Sequence, residues 1–304
     1  MSATVTVQTA PHMRGTLAAA VRALLRGDPV GVAALCWLAL VVVVAVLAPI
    51  IAPYDPVHVT SATLAHPGLR HPFGTDQFGR DMLSRIMWGA RLTLLAAAVG
   101  IAISTVVGVP LGLIAGYSTR LVSGVIMRAM DVLLAFPGLL LAMIVVTVLG
   151  PGLPNVTVAI GIAFIPVFAR VVYGSTLAIR DQDYVLAARS IGCSRGWVAR
   201  RHILPNLATQ VVVVASSAIG WAILTATTLN FLGFGVKLPT PEWGADLAAG
   251  KDWLQVAWWT STFPGLAITS VILASNYLGD HIAAVLEPHS HWRDAIAPSA
   301  LEEG

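Results

Sequence analysis

Charged residues are scarce in this chain. Lys, Arg, Asp and Glu make up 11% of the 304 residues, whereas hydrophobic residues make up 57%. A soluble domain carries about 25% charged residues, and the mean hydropathy of +0.80 points the same way. Because this much apolar sequence exceeds what soluble cores of this size can bury, the excess must face lipid. The composition predicts an integral membrane protein and excludes disorder, secreted disulfide scaffolds and collagen-like fibres.

Cysteine and catalytic motifs are also nearly missing. Cys36 lies in an apolar run and Cys193 in a polar loop, so neither a metal site nor a disulfide is indicated. The sequence has no G-x-x-x-x-G-K-[ST] phosphate loop, no HExxH and no G-x-S-x-G. We therefore expect no catalytic residue, no metal and no cofactor in this chain. The net charge of +3 fits basic cytoplasmic loops better than nucleic-acid binding.

Five charge-free runs are long enough to cross a membrane. They cover residues 29–54, 92–119, 132–169, 202–236 and 253–279. One spanning helix needs about 20 apolar residues, so the longest run fits two spans. Its middle reads Gly150-Pro151-Gly152-Leu153-Pro154, a cluster that stops a helix and reverses the chain. The sequence predicts an all-α membrane protein with about six transmembrane helices.

The basic residues orient these spans. An even number of spans places both termini on one side of the membrane. That side would hold eleven arginines, against six Lys and Arg residues balanced by six acids on the other. By the positive-inside rule, both termini are predicted to be cytoplasmic. The expected organisation is a cytoplasmic tail (1–29), a first transmembrane helix (30–53), an outer loop (54–90), a permease domain (91–284) and a second cytoplasmic tail (285–304).

The longest cytoplasmic loop, 181–206, predicts two short helices. The first begins with Asp183, a residue favoured at helix starts, and ends at Gly192, as a C-terminal glycine should. The second lies near Arg195–Arg201 and runs to Pro205, where the fifth span is expected to begin. Small residues Ala187 and Ala188 favour docking into a partner's groove, although an ordinary basic loop explains the composition equally well.

This loop resembles a known motif. Ala187-Ala188, then Gly192, then Leu204-Pro205 are similar to the EAA loop of ABC-importer permeases, with Leu186 in place of the motif's Glu and His202 in place of its Ile. The resemblance implies a coupling helix that docks on a cytoplasmic ATPase subunit. The implied coupling residues are Asp183, Tyr184, Ala187, Ala188, Arg189, Gly192, Leu204 and Pro205.

The outer loops carry further matches. The string Gly74-Thr75-Asp76-Gln77-Phe78-Gly79-Arg80-Asp81 reads locally as tight turns and caps, followed by an interfacial helix from Met82. It resembles the C-type permease subunit of dipeptide/oligopeptide (nickel) importers, as do Pro241-Glu242-Trp243-Gly244 and Asn276-Tyr277-Leu278-Gly279-Asp280. The resemblance implies an outer entrance or binding-protein docking site. The implied residues are Gly74, Thr75, Asp76, Gly79, Arg80, Asp81, Pro241, Glu242 and Trp243, although Trp243 also fits an aromatic belt.

Ionisable residues are nearly absent from the span centres, which weakens a proton-coupled transporter or a charged-ring channel. Asp131, Arg170 and Asp280 are all expected near the cytoplasmic ends. Small polar residues such as Ser217, Thr228 and Asn230 suit close helix packing first and a mildly polar pathway second.

The resemblance implies a type I ABC-importer permease subunit for di- or oligopeptides in the cytoplasmic (inner) membrane. Its implied partners are a second homologous permease chain, two ATPase subunits that bind ATP and Mg²⁺, and an extracytoplasmic substrate-binding protein. The alternatives are a nickel permease, a self-contained secondary transporter or channel, and a membrane-anchored assembly factor.

Overall fold

The computed structural model describes residues 28–286, so both predicted tails lie almost wholly outside the described residues. The described chain is helical, with one isolated bridge between Thr75 and Asp81. The helices are α1 (Pro29–Ile51), α2 (Met82–Tyr117), α3 (Arg120–Leu134), α4 (Gly138–Leu149), α5 (Leu153–Arg180), α6 (Asp183–Ser190), α7 (Arg195–Val198), α8 (Leu204–Phe231), α9 (Trp243–Gly250) and α10 (Trp259–Leu286). A π-helical turn (Ala199–Ile203) joins α7 to α8, and a 3₁₀ turn (Lys251–Trp253) follows α9.

The long helices account for the predicted spans. α1, α2, α5 and the continuous stretch from α7 to α8 are each long and apolar enough to cross a membrane, and the bent pair α3–α4 makes a fifth span if it crosses as one. These four or five apolar spans confirm the expected all-α membrane protein. The sixth expected span corresponds to α10, whose 28 residues extend over roughly 42 Å at 1.5 Å per residue.

The predicted hairpin in 132–169 is right about the turn and wrong about its first arm. The chain reverses at Gly150 and Gly152, whose φ angles are +90° and +140°. The first arm, α4, has only 12 residues, or roughly 18 Å against a hydrocarbon core of about 30 Å. The preceding segment bends by 93° between α3 and α4, because Pro137 cannot continue a helix.

Two other span boundaries differ from prediction. α2 begins at Met82, as expected, and is capped by Asp81, but the expected interfacial helix continues without a break into the second span as a single 36-residue helix. The fifth span does not begin at Pro205, because α7, the π turn and α8 follow one another without a break. A π turn shifts the hydrogen-bonding pattern just before Pro205, whose nitrogen has no hydrogen to donate.

The centre of the fold is the contact between α2 and α5. Along α2, glycines recur every four residues at Gly108, Gly112 and Gly116 and face α5. A Cβ at Gly112 would lie 2.4 Å from the carbonyl oxygen of Ala169. The two backbones therefore approach as closely as small-residue packing allows in membrane helices.

Candidate functional site

Within the 181–206 loop, one side of α6 packs against the long helices. Val185 is fully buried and Ala188 is 7% exposed. Both contact a separate apolar cluster that includes Val172 of α5 and Leu207 of α8. Ala188, expected to face a partner, instead points inward, because it lies one helical turn from Val185 on the same side. α6 is thereby fixed to two of the long helices.

The opposite side of α6 is apolar and exposed. Tyr184 and Leu186 are each 45% exposed, and Ile191 is 82% exposed. Ala187 lies among them and is also exposed. We call these four residues the coupling face. Exposed apolar groups clustered at the end of a helical bundle are typical of a surface that another chain covers.

The ends of α6 follow the sequence prediction in part. Gly192 has a φ of +89°, and its N–H donates to the Arg189 carbonyl at 3.0 Å. This left-handed conformation explains why glycine ends the helix. Asp183, expected as the cap, lies in the first turn after Gln182, which makes no side-chain cap hydrogen bond. Leu204 is 43% exposed, and Pro205 is also exposed.

The outer motif 74–81 folds on itself. Asp76 accepts backbone N–H groups from Phe78 at 2.8 Å and Arg80 at 2.9 Å, and its second oxygen accepts from Arg80 Nε at 2.6 Å. Both side chains are at most 5% exposed. Thr75 is completely buried, and its hydroxyl accepts from the Ala65 N–H at 2.8 Å. Buried charges must be paired, and these pair internally. The expected role of this motif as an entrance or docking site stays a prediction.

The rest of the motif anchors the start of α2. Asp81 accepts from both the N–H and the hydroxyl of Ser84, at 2.8 and 2.7 Å, and contacts His71 Nδ1 at 2.9 Å. Gly74 and Gly79 have φ angles of +72° and +75°. A Cβ on Gly79 would lie 2.2 Å from the Thr60 carbonyl oxygen. Both glycines are required by turn geometry and close contact.

The second outer segment is also buried. Glu242 is 0% exposed, accepts from the Thr93 hydroxyl at 2.7 Å and caps α9 through the Ala245 N–H at 2.9 Å. Burial raises the pKa of Glu242 to about 7. Trp243 is 2% exposed and donates to the Ile86 carbonyl at 2.8 Å. Trp243 is therefore a core residue, which corrects its expected place in an aromatic belt, and Pro241 beside it is buried too.

Sequence reasoning missed the residue that ties these outer segments together. Arg85 is 0% exposed and forms an ion pair with Asp246 of α9. It also donates to the carbonyl oxygens of Pro56 at 2.9 Å and Pro239 at 3.0 Å. The spacing in the sequence could have indicated this burial. Arg85 lies four residues before Gly89 and eight before Thr93, on the same buried face of α2.

The three pathway candidates do not share one site. Asn230 is 2% exposed and bonds to the Ala226 carbonyl and the Val236 N–H, so it shapes the turn after α8. The backbone of Ser217 lies against Gly279 of α10. Thr228 lines a cavity of about 400 Å³ between α4, α5 and α8. The pathway role of these three residues stays a prediction.

The fold and the presented helix define a multi-pass membrane permease. The chain resembles a chain of the MetNI methionine ABC transporter in inward-facing conformations, with a TM-score of 0.55 at 16% identity, over 67% of this chain and 97% of that one. A second crystal form of that transporter gives a TM-score of 0.53 at 17% identity over the same shares. This likeness establishes the type I ABC-importer permease fold.

Sequence comparison gives the family. The model for "binding-protein-dependent transport system inner membrane component" matches residues 108–291, and that for the "N-terminal TM domain of oligopeptide transport permease C" matches residues 16–67. The glutathione transport system permease protein GsiD of Escherichia coli O6:K15:H31 is 43% identical over 269 residues, covering 86% of this chain and 88% of that protein. GsiD of Shigella flexneri serotype 5b is 44% identical over 265 residues, with the same shares. The chain belongs to the binding-protein-dependent ABC-importer permeases, in their C-type peptide/nickel group.

Proposed function

We propose that this permease subunit imports small peptides across the cytoplasmic membrane, paired with a second permease chain. Two ATPase subunits would bind ATP and Mg²⁺ and dock at the coupling face, and an extracytoplasmic binding protein would deliver the substrate. The peptide class is supported by relatives named for glutathione, itself a tripeptide. The distribution of arginines supports cytoplasmic placement of both termini and of α6.

The observation that carries the proposal is the two-sided construction of α6. Its outward side offers Leu186 and Ile191 to a partner, while its inward side is packed through Val185 against α5 and α8. Only two residues, Asp181 and Gln182, separate the end of α5 from α6. A push on the coupling face would therefore move the ends of two long helices together, because packed interfaces shift as units.

This geometry gives the ATPases a mechanical route to the spans. Closure of the two ATPase subunits on ATP would draw the coupling faces of both permease chains together and open the bundle outward. The chain itself would contribute no chemistry to hydrolysis. The outer segments, held by Arg85 and the 74–81 motif, would keep the outer mouth shaped for the binding protein through their backbone, since these charged side chains are buried.

A reconstituted complex tests the coupling role. Ile191→Asp places a charge on the most exposed apolar residue of the coupling face. It should abolish peptide-stimulated ATP hydrolysis because the ATPases no longer dock, while the two permease chains still pair. Leu69→Asp is the matched control, because Leu69 is fully exposed in the outer loop. Ala188→Arg is a poor test, because it would disrupt a buried contact. Normal peptide-driven hydrolysis by Ile191→Asp would refute the proposed coupling.

The same liposomes test the substrate class. The binding protein and a tripeptide should drive ATP-dependent uptake, whereas Ni²⁺ without peptide should not. Uptake of Ni²⁺ alone would overturn the peptide assignment and leave the coupling role intact. Flux through this chain without any ATPase would overturn both.

A further inference from the structure

A basic cavity lies at the base of the 181–206 loop, and none of the four coupling-face residues lines it. It has a volume of about 430 Å³ and is formed where α2 ends at Tyr117 and α5 ends at Arg180. Three arginines line it, Arg180, Arg189 and Arg195, together with one acid, Asp181. The cavity therefore carries a net charge of about +2, in a molecule whose charges are otherwise few.

Within the described part of the chain, some polar groups that line the cavity lack a hydrogen-bond partner. Tyr117 lines the cavity, and its buried hydroxyl has no hydrogen-bond partner among residues 28–286. Thr119 precedes α3 without making a side-chain cap hydrogen bond, so the first N–H groups of that 15-residue helix lack a side-chain acceptor. Arg180 donates to the Gly116 carbonyl at 2.8 Å and lies 3.4 Å from Asp181, which holds its guanidinium at the cavity wall. Guanidinium, hydroxyl and helix N–H groups are the donors that phosphate oxygens accept from.

Two exposed aliphatic side chains follow Thr119, which lines the cavity, along the chain. On α3, Leu121 is 78% exposed and Val125 is 64% exposed. They lie about one helical turn apart and so form a strip leading away from Thr119. The cavity thus combines hydrogen-bond donors that suit a phosphate group with exposed aliphatic side chains nearby, at the ends of two spans. This combination fits one molecule with a phosphate headgroup and hydrocarbon chains.

We propose that this cavity binds the phosphate headgroup of an anionic phospholipid, with its acyl chains along Leu121 and Val125. Basic pockets between membrane helices on the cytoplasmic side bind such lipids. The cytoplasmic placement of the cavity rests on the orientation given under the proposed function, whereas its chemistry does not. The bound lipid would hold the foot of α6 at the membrane surface through Arg189, which also stacks on the Tyr117 ring at 5.0 Å.

Lipid retention by the purified complex tests this site. Native mass spectrometry would count phosphatidylglycerol and phosphatidylcholine molecules retained after purification from a mixture of equal amounts. The wild type should retain phosphatidylglycerol preferentially, and Arg195→Gln should lower that preference about fivefold, the effect of one basic residue near a charged membrane surface. Arg200→Gln is the matched control, since Arg200 is equally exposed on the same helical stretch and does not line the cavity.

Three outcomes would overturn the proposal: equal retention of both lipids by the wild type, equal effects of the two variants, or displacement of the retained lipid by millimolar inorganic phosphate or ATP. The last would assign the cavity to a soluble anion. The measurement needs neither peptide nor ATP hydrolysis, so its failure would leave the coupling proposal untouched.

Discussion

Replacing Arg85 by methionine should destabilise the whole outer half of the protein. The guanidinium joins three segments that are far apart in the sequence. It donates to the Pro56 carbonyl after α1, to the Pro239 carbonyl before α9, and to Asp246 within α9. Methionine has a similar length and fills much of the space, so the variant removes the charge and its hydrogen bonds while leaving little cavity.

The size of the stability loss depends on Asp246, which stays buried without its partner. Asp246 is 4% exposed, and its other carboxylate oxygen has no partner among residues 28–286. Burial already raises the pKa of Asp246, opposed mainly by the charge of Arg85. Removing one partner of a buried ion pair typically lowers the free energy of unfolding by 3–5 kcal/mol, so we expect a loss of about 4 kcal/mol. Most of this comes from the isolated carboxyl group and not from the lost attraction.

A double-mutant cycle measures this directly. Arg85→Met, Asp246→Leu and the double variant would be unfolded by denaturant in mild detergent, and the assembled complex would be compared by thermal melting. The double variant should recover at least half of the loss, because it buries no unpaired charge. Additive losses in the double variant, or a loss below about 1 kcal/mol in Arg85→Met, would refute the assigned role of the buried pair.

Two further predictions concern the helix core and pH. Gly112→Ala should lower the free energy of unfolding by roughly 1–3 kcal/mol, because its Cβ would meet the Ala169 carbonyl oxygen at 2.4 Å. Gly124→Ala, with no atom within 4 Å, should instead be neutral or stabilising by up to about 1 kcal/mol, and denaturant unfolding compares the two. Glu242 has a pKa near 7 against an ordinary 4.5, so its neutral form is favoured by folding and the stability should fall as pH rises from 4.5 to 7. The decline should reach roughly 3 kcal/mol at most, and Glu242→Gln should remove it in melting curves recorded across this range; an unchanged pH slope would contradict the burial argument.

The sequence was most informative where a pattern depends on neighbours along the chain. The reversal at Gly150 and Gly152 and the end of α6 at Gly192 were predicted because glycine and proline act locally. The bend before α4 was missed, since apolarity alone does not show whether 12 residues form half a span. The spacing of small residues in α2 indicates a close helix contact, but which helix makes that contact depends on the tertiary structure.

The candidate site shows the same division. The short helix from Asp183 was predicted correctly. The inward orientation of Ala188 depends on Val172 and Leu207, which are far away in the sequence. The 74–81 motif was recognised as a string, but the burial of its charged side chains was not predicted. Its charges pair with each other and with backbone groups, an arrangement that becomes visible only once the loop is folded. Distinctive charged residues in an outer loop can therefore stabilise the fold of the loop itself as easily as form a docking site.

Co-purification from the native membrane tests the central claim most directly. The account predicts that the wild-type chain comes out with a second permease chain and with ATPases carrying phosphate-binding loops. Ile191→Asp, at the most exposed residue of the coupling face, should retain the permease partner and lose the ATPases. Two results would contradict the claim that the ATPases bind at α6. One is wild-type amounts of ATPase bound to Ile191→Asp, and the other is a wild-type chain that purifies without any ATPase.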